Sequence, residues 1–371
     1  MMKLSDFDYS LPKEKIALFP TPERAAAKLL CVDRKTGICT HRVFRDLPEL
    51  LRPTDVLVLN NTKVLPARLF GKKATGGGVE ALLLKETGSG IWECLLKPGG
   101  RVKEGQQIDF SANGVELRAE VIARPVQDSG QRFIRFLGDS VKEKIKKLGH
   151  IPLPPYIDRP DQPSDRAMYQ TVYAAEEGAV ASPTAGLHFD APLLDRIANM
   201  GVEIVPITLH VSYGTFQPMT VDEINQHKMF EEEYEITEEA AQKINQAKRE
   251  GRRVIVCGTT CVRALESAVT TAVIPAKAGI QSQDGFPIKT FGNDILAGTI
   301  KPSKGKTSIF IHPPYDFKVM DALITNFHIP KSTLLVMVAA FLGYDKMMVA
   351  YETALKNDYR FASYGDAMFI I

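Results

Sequence analysis

The chain has 371 residues, with 46 Lys and Arg against 44 Asp and Glu, 44% apolar and 24% charged residues. This is too long for one ordinary core, so two domains or three are expected, with the composition of a soluble globular protein. A net charge of +2 neither requires nor forbids a nucleic-acid partner; RNA would have to bind through a local basic face.

Taken in chain order, the polar opening MMKLSDFDYS lacks the apolar stretch of a secretory signal, and a cytoplasmic protein is expected. Residues 1–53 are mixed, and TDVLVLNN (54–61) predicts a buried strand. From Pro66 to about Leu137 the pattern changes to short β-rich runs (ARLFG, VEALLL, IWECLL, QQIDF, VELRAEVIA, RFIRFL) separated by Gly and Asn turns. Such spacing predicts a small antiparallel β-barrel, inserted into a longer α/β chain. VKEKIKKLGH (141–150) predicts a basic helix ending at Gly149, and five prolines make 151–163 an extended, stiff segment.

After residue 165 strands and helices alternate, as in an α/β domain. VEIVPITLHV (202–211) is a strand, Thr237 caps a helix to about Arg249, and RRVIVCG (252–258) is a buried strand followed by a helix at CVRALESAV. A strand near SIFI (308–311), helices at 332–343 and near 346–357, and a final strand AMFII complete the pattern. Residues 272–293 hold no period and read as a flexible surface insertion. The division expected is an α/β main domain of 1–62 plus 148–371 and an inserted barrel of 63–147. The longest apolar run, Leu334 to Leu342, is far short of a bilayer span of about 20 residues, so no membrane partner is expected. Five irregularly spaced cysteines without CxxC, HExxH or a Cys/His cluster predict no metal site.

Several segments could carry chemistry. In RVIVCGTTCVRALE (253–266), the strand–Gly258–Thr259–Thr260–helix turn presents free backbone N–H groups at a positive helix end; it also fits an ordinary connection with Thr caps. It is neither a P-loop nor a GxGxxG fingerprint. SPTAGLHFD places Thr184 and Gly186 before His188, and LHVSYGTFQP places His210, Gly214 and Thr215 at a strand end, where α/β sheets bind ligands. ITNFHIPKSTL carries Asn326 and His328, and YRFASYGDAM interleaves Arg360, Tyr364 and Asp366. Taken alone, His188 fits a helix start with a partly exposed ring better than a site, His210 fits a bond to a backbone carbonyl as readily as a site, and Asn326 and His328 lack so easy a structural role.

In this order, together with LNNTKVLPARLFG, WECLLKPGGRVKEG, IPLPPYI, YQTVYA and HKMFEEEY, these segments closely resemble the S-adenosylmethionine:tRNA ribosyltransferase-isomerase family of queuosine biosynthesis, from about residue 3 to 371. The resemblance implies an α/β main domain with a small inserted β-barrel. It implies transfer and isomerisation of the ribosyl group of S-adenosylmethionine, the co-substrate, onto 7-aminomethyl-7-deazaguanine at the tRNA wobble position. Epoxyqueuosine forms, adenine and methionine leave, and no metal takes part. The deazaguanine must leave the base stack to react, so a pocket for a splayed base is expected, and a monomer.

Within the matched motifs His188, His210, His328, Glu232 and Asp366 are the acid–base candidates, with His188 first because it follows the tight PTAG turn of the most distinctive motif and an imidazole titrates near neutrality. Asn60, Arg68, Tyr156, Thr184, Gly186, Gly214, Thr215, Gly258, Thr259, Thr260, Arg263, Asn326, Arg360 and Tyr364 are the candidate substrate contacts, expected to meet at one site between the two domains. The chain departs from the family pattern at Phe230, where a second His is common, and at Ser212, Asn61, Lys63 and Cys261. The alternatives are another S-adenosylmethionine-dependent tRNA-modifying enzyme, such as a methyltransferase, and a non-catalytic RNA-binding protein.

Overall fold

A computed structural model describes residues 2–99, 102–123, 131–216, 219–269 and 298–371. The segment 272–293 lies outside the described residues.

The chain begins with β1 (Lys28–Val32) and β2 (Cys39–Val43), then β3 (Val56–Asn60) and a short β4 (Thr62–Val64). Six strands follow: β5 (Arg68–Lys73), β6 (Gly78–Gly88), β7 (Ile91–Lys97), β8 (Gln107–Ala112), β9 (Val115–Ala123) and β10 (Gln131–Leu137). They close into an antiparallel barrel in the order β10-β7-β6-β5-β8-β9. Alternation dictates its filling. Trp92, Cys94 and Leu96 on β7 and Ile108 and Phe110 on β8 point inward, while the residues between them are less buried. Helix α1 (Val141–Leu148) adds Ile145 and Leu148 to that core.

The chain continues through α2 (Asp165–Met168), β11 (Glu176–Ala179), α3 (Ala191–Asn199), β12 (Glu203–Leu209), β13 (Glu232–Ile236), α4 (Glu238–Arg249), β14 (Val254–Cys257) and α5 (Thr259–Ala268). It ends with β15 (Ser303–Thr307), β16 (Ala322–Asn326), α6 (Thr333–Leu342), α7 (Tyr344–Lys356) and β17 (Ala367–Ile370). The main sheet is mixed and nine-stranded, in the order β15-β13-β12-β3-β14-β16-β17-β1-β2. Its centre, β12-β3-β14-β16, is parallel. Strands covered on both faces read as continuous apolar runs: every residue of β3, β14, β16 and β17 is buried. Val56, Val58, Val254 and Val256 face the layer containing α4 to α7, whereas Leu57, Leu59, Ile255 and Cys257 face α3 and the 3₁₀ turns near its end of the sheet.

The strand expected at SIFI lies five residues earlier, in the polar run SKGKT of β15. Cross-strand charge holds this edge strand to β13: Lys304 pairs with Glu235 at 2.7 Å and Lys306 with Glu231 at 3.1 Å. The helix expected to start at Cys261 starts at Thr259, so both threonines form its first turn. The run 334–342 is a buried helix, bent by 115° against its successor. Among the described residues no single helix is long and apolar enough to cross a membrane.

Candidate functional site

The parallel strands β3, β12, β14 and β16 end on one side of the sheet, where an α/β fold leaves a crevice for ligands. There a cleft with about 50 Å³ of water-accessible space opens between four segments. They are the turn 182–185, the 258–260 start of α5, residues 325–329 at the end of β16, and the loop at Ala362 and Ser363. Tyr156, delivered by the proline-rich stretch, closes a wall through a 2.6 Å hydrogen bond with Ser363 Oγ. Gly258 stands at φ +89°, a conformation that L side chains rarely adopt, and turns the chain from β14 into α5. The first N–H groups of α5 and its positive end face the cleft region, a setting suited to a carboxylate.

Inside, one hydrogen-bond relay crosses the floor. Thr184 Oγ1 donates to Asn326 Oδ1 at 3.0 Å, and the Asn326 amide meets His188 Nε2 at 3.1 Å. With the amide as donor, His188 is a neutral acceptor behind Asn326. Its ring lies 5.0 Å from that of Phe44. Burial, followed by the charges of Arg360 and Arg24, holds its pKa down at about 3. The expected titration near neutrality is therefore corrected: His188 stays unprotonated, outside the cleft. His328 does line the cleft; Thr325 Oγ1 lies 2.9 Å from its Nε2, and burial holds its pKa at about 3 as well.

A second cavity, with about 550 Å³ of water-accessible space, lies between the barrel and the sheet edge and adjoins the first at Val211. Leu84, Lys85, Glu93 and Leu95 line it from the barrel; His210, Gly214, Phe230, Glu232 and Glu233 line it from the main domain. His210 Nδ1 sits 2.8 Å from Thr62 Oγ1, and burial lowers its pKa against the opposing pull of Glu233. Lys85 pairs with Glu233 and, chiefly through that hydrogen bond, lowers its pKa. Gly214 is needed for close approach, because a Cβ there would fall 2.1 Å from the Phe230 ring.

Between the cavities Glu232 and Arg263 form a buried ion pair. The second Glu232 oxygen accepts the Ser212 N–H and the Thr215 hydroxyl, each at 2.8 Å, and so fixes the turn that separates the two spaces. The two cavities differ in charge. The first is lined by hydroxyls, one amide, a neutral imidazole and apolar groups, with no Asp, Glu, Lys or Arg among the described residues. The second carries Lys85, Lys306, Glu93, Glu231, Glu232 and Glu233. Among the described residues no group of three His, Cys, Asp or Glu side chains could hold a metal ion.

Of the candidate contacts, Tyr156, Thr184, Thr215, Gly258, Thr259, Thr260 and Asn326 line the first cavity and Gly214 the second. The others sit in the frame. Asn60 bridges the Leu209 backbone and Thr260, Arg68 reaches the Leu153 carbonyl, and Gly186 packs against the Tyr173 hydroxyl. Tyr364 donates to Asp165 at 2.7 Å. Asp366 staples the loop before β17 by accepting the Lys28 and Arg360 N–H groups at 2.9 and 2.7 Å. Sequence reasoning passed over Ser182, Thr325, Ser332 and Ser363, which also line the cleft; all four stood inside the quoted motifs, with no distinctive neighbour to mark them.

The fold and the cleft define a class: an α/β protein with an inserted barrel, carrying an uncharged polar cleft at the carboxyl ends of its parallel strands beside a charged cavity at the barrel. The family model described as "Queuosine biosynthesis protein" matches residues 4–370, and the chain belongs to that family. It is 47% identical over 369 residues to the S-adenosylmethionine:tRNA ribosyltransferase-isomerase of Thermosipho africanus, and 48% identical over 372 residues to that of Symbiobacterium thermophilum, with 100% of both chains covered in each case. A crystal structure of S-adenosylmethionine tRNA ribosyltransferase from Thermotoga maritima matches with a TM-score of 0.52 and 34% identity, covering 99% of this chain and 100% of that one.

Proposed function

We propose that this chain transfers and isomerises the ribosyl group of S-adenosylmethionine onto 7-aminomethyl-7-deazaguanine at the wobble position of tRNA, releasing adenine and methionine and leaving epoxyqueuosine. It acts as a cytoplasmic monomer without a metal, with 63–147 as the inserted unit. Family membership supports the reaction class. The observation that carries the assignment to this site is the pair of adjoining cavities, one uncharged and rich in hydroxyls, the other charged and open to the barrel.

The first cavity suits the adenosyl half of the co-substrate, whose ribose and adenine are neutral and studded with donors and acceptors. The start of α5 suits the methionine carboxylate. The second suits the base, because an aminomethyl group arrives as a cation and the carboxylates there attract it. That amine attacks only when neutral. His210, unprotonated and held by Thr62, is the group placed to take its proton or one from the carbon beside the sulfonium. His188 then acts through Asn326, by orienting an amide in the cleft.

Incubation of the chain with tRNA carrying the aminomethyl base and ribosyl-labelled S-adenosylmethionine tests the reading. Label in the tRNA nucleoside, with free adenine and methionine in equal amounts, supports it. Release of S-adenosylhomocysteine would instead indicate methyl transfer, and binding without turnover would indicate an RNA-binding protein.

A further inference from the structure

We propose that the hydroxyl of Ser182 reads a ribose hydroxyl of S-adenosylmethionine; this deepens the functional reading above and rests on it. Most hydroxyls lining the first cavity are already committed within the protein. Thr184 bonds Asn326, Thr215 bonds Glu232, Thr260 accepts from Asn60, Thr325 meets His328, Ser332 caps α6 and Ser363 meets Tyr156. Ser182 lines the same cavity and is 4% exposed, yet its Oγ is buried and has no hydrogen-bond partner among the described residues. A buried hydroxyl left unpaired costs free energy that an apolar residue of similar shape would avoid. A ligand that pairs with the hydroxyl removes that cost.

The chemistry of the partner follows from the wall around it. The lining of this cavity has no ionised side chain, so the wall beside Ser182, away from the start of α5, suits a neutral group. A serine hydroxyl both donates and accepts, and so does a ribose hydroxyl. Ser182 also precedes the Pro183–Thr184–Ala185 turn, which itself lines the cavity, so its backbone position is fixed by the same segment that supplies Thr184 to the Asn326 relay.

The test is Ser182→Ala, assayed at saturating modified tRNA. The expected result is a KM for S-adenosylmethionine raised roughly three- to tenfold, with the KM for tRNA unchanged and a Tm equal to or above that of the wild type. The 2′-deoxy and 3′-deoxy analogues of S-adenosylmethionine, measured as competitive inhibitors of both proteins, complete the cycle. One of them should bind wild type and variant equally, because it lacks the hydroxyl that Ser182 meets. An unchanged KM, or a fall in Tm as the only effect, assigns the hydroxyl to the frame and overturns the proposal. So does a penalty that persists in full with both analogues, since Ser182 would then read adenine or methionine. A wild type that releases neither adenine nor methionine sinks the functional reading itself; an active wild type with an indifferent Ser182 sinks only this inference.

Discussion

The Glu232–Arg263 pair allows stability and catalysis to be separated at one residue. The two side chains are 2% and 1% exposed, so each charge depends on the other. Among the described residues the Nε and Nη2 atoms of Arg263 have no partner, which raises the cost of removing the carboxylate. Arg263→Met should destabilise the protein by about 3–5 kcal/mol, because it leaves Glu232 buried and uncompensated; Glu232→Gln should cost a similar amount. That is a large part of a domain's total of about 5–15 kcal/mol. The double variant removes both charges, and the glutamine carbonyl can still accept from Ser212 and Thr215. Its cost should fall below the sum of the single costs by about 2 kcal/mol or more. Urea unfolding followed by circular dichroism measures all three. Additive losses would refute the view that the pair is held by mutual compensation. The same double variant settles Glu232's chemistry. If the carboxylate only fixes the 212–215 turn, turnover should recover along with stability. If it moves a proton, a rate loss of about 10² or more should persist in the refolded double variant.

Three further outcomes are expected. His188 and His328 stay neutral in the fold down to about pH 3, whereas in the unfolded chain they take up protons below about 6.5; their contribution to stability is whole above that pH and is lost as pH falls, by about 1.4 kcal/mol per pH unit each. His188→Asn should therefore flatten the fall of urea midpoints between pH 6 and 4.5, and an unchanged slope would contradict the buried neutral ring. Phe230 is 43% exposed at the interdomain cavity with its ring against Gly214; Phe230→Ala should raise the KM for tRNA by about 5- to 100-fold through lost base stacking, while Phe230→His stays within a few-fold, and equal losses in both would show that the ring is only packing. Replacing 272–293 by a short Gly/Ser link should leave turnover within a few-fold, because loop-closure cost grows only as about (3/2)RT ln n; loss of tRNA binding would give that segment a role.

The fold was legible where burial writes itself into sequence. VLVLN, VIVC and AMFI are continuous apolar runs because both faces of the sheet are covered, and the barrel strands alternate because only one face is inside. The edge strand was not legible for the same reason. β15 is SKGKT, polar and glycine-containing, and what pairs it is the spacing of Lys304 and Lys306 against Glu235 on β13 and Glu231 just before that strand. Those partners lie about seventy residues away, and no local periodicity reports them. The apolar SIFI next to it drew the assignment instead.

The site was legible as motifs but not as roles, because a role depends on what lies behind a side chain. His188, His210 and His328 look alike in sequence. In the fold one is sealed behind Asn326, one is tied to Thr62 in a charged cavity, and one lines an uncharged cleft. Asp366 looked like an acid–base group, yet both of its oxygens accept backbone N–H groups, which makes it a fastener for the loop that presents Ala362 and Ser363. The separation of charge between the cavities is the property that sequence hides most completely. A sulfonium and an aminomethyl cation brought into one space repel each other, by about 4 kcal/mol at 4 Å in an effective dielectric of about 20. A cleft without ionised side chains for the nucleoside, beside a cavity whose carboxylates face the amine, lets the two reactants meet at Val211 with only one of them needing to lose its charge before bond formation.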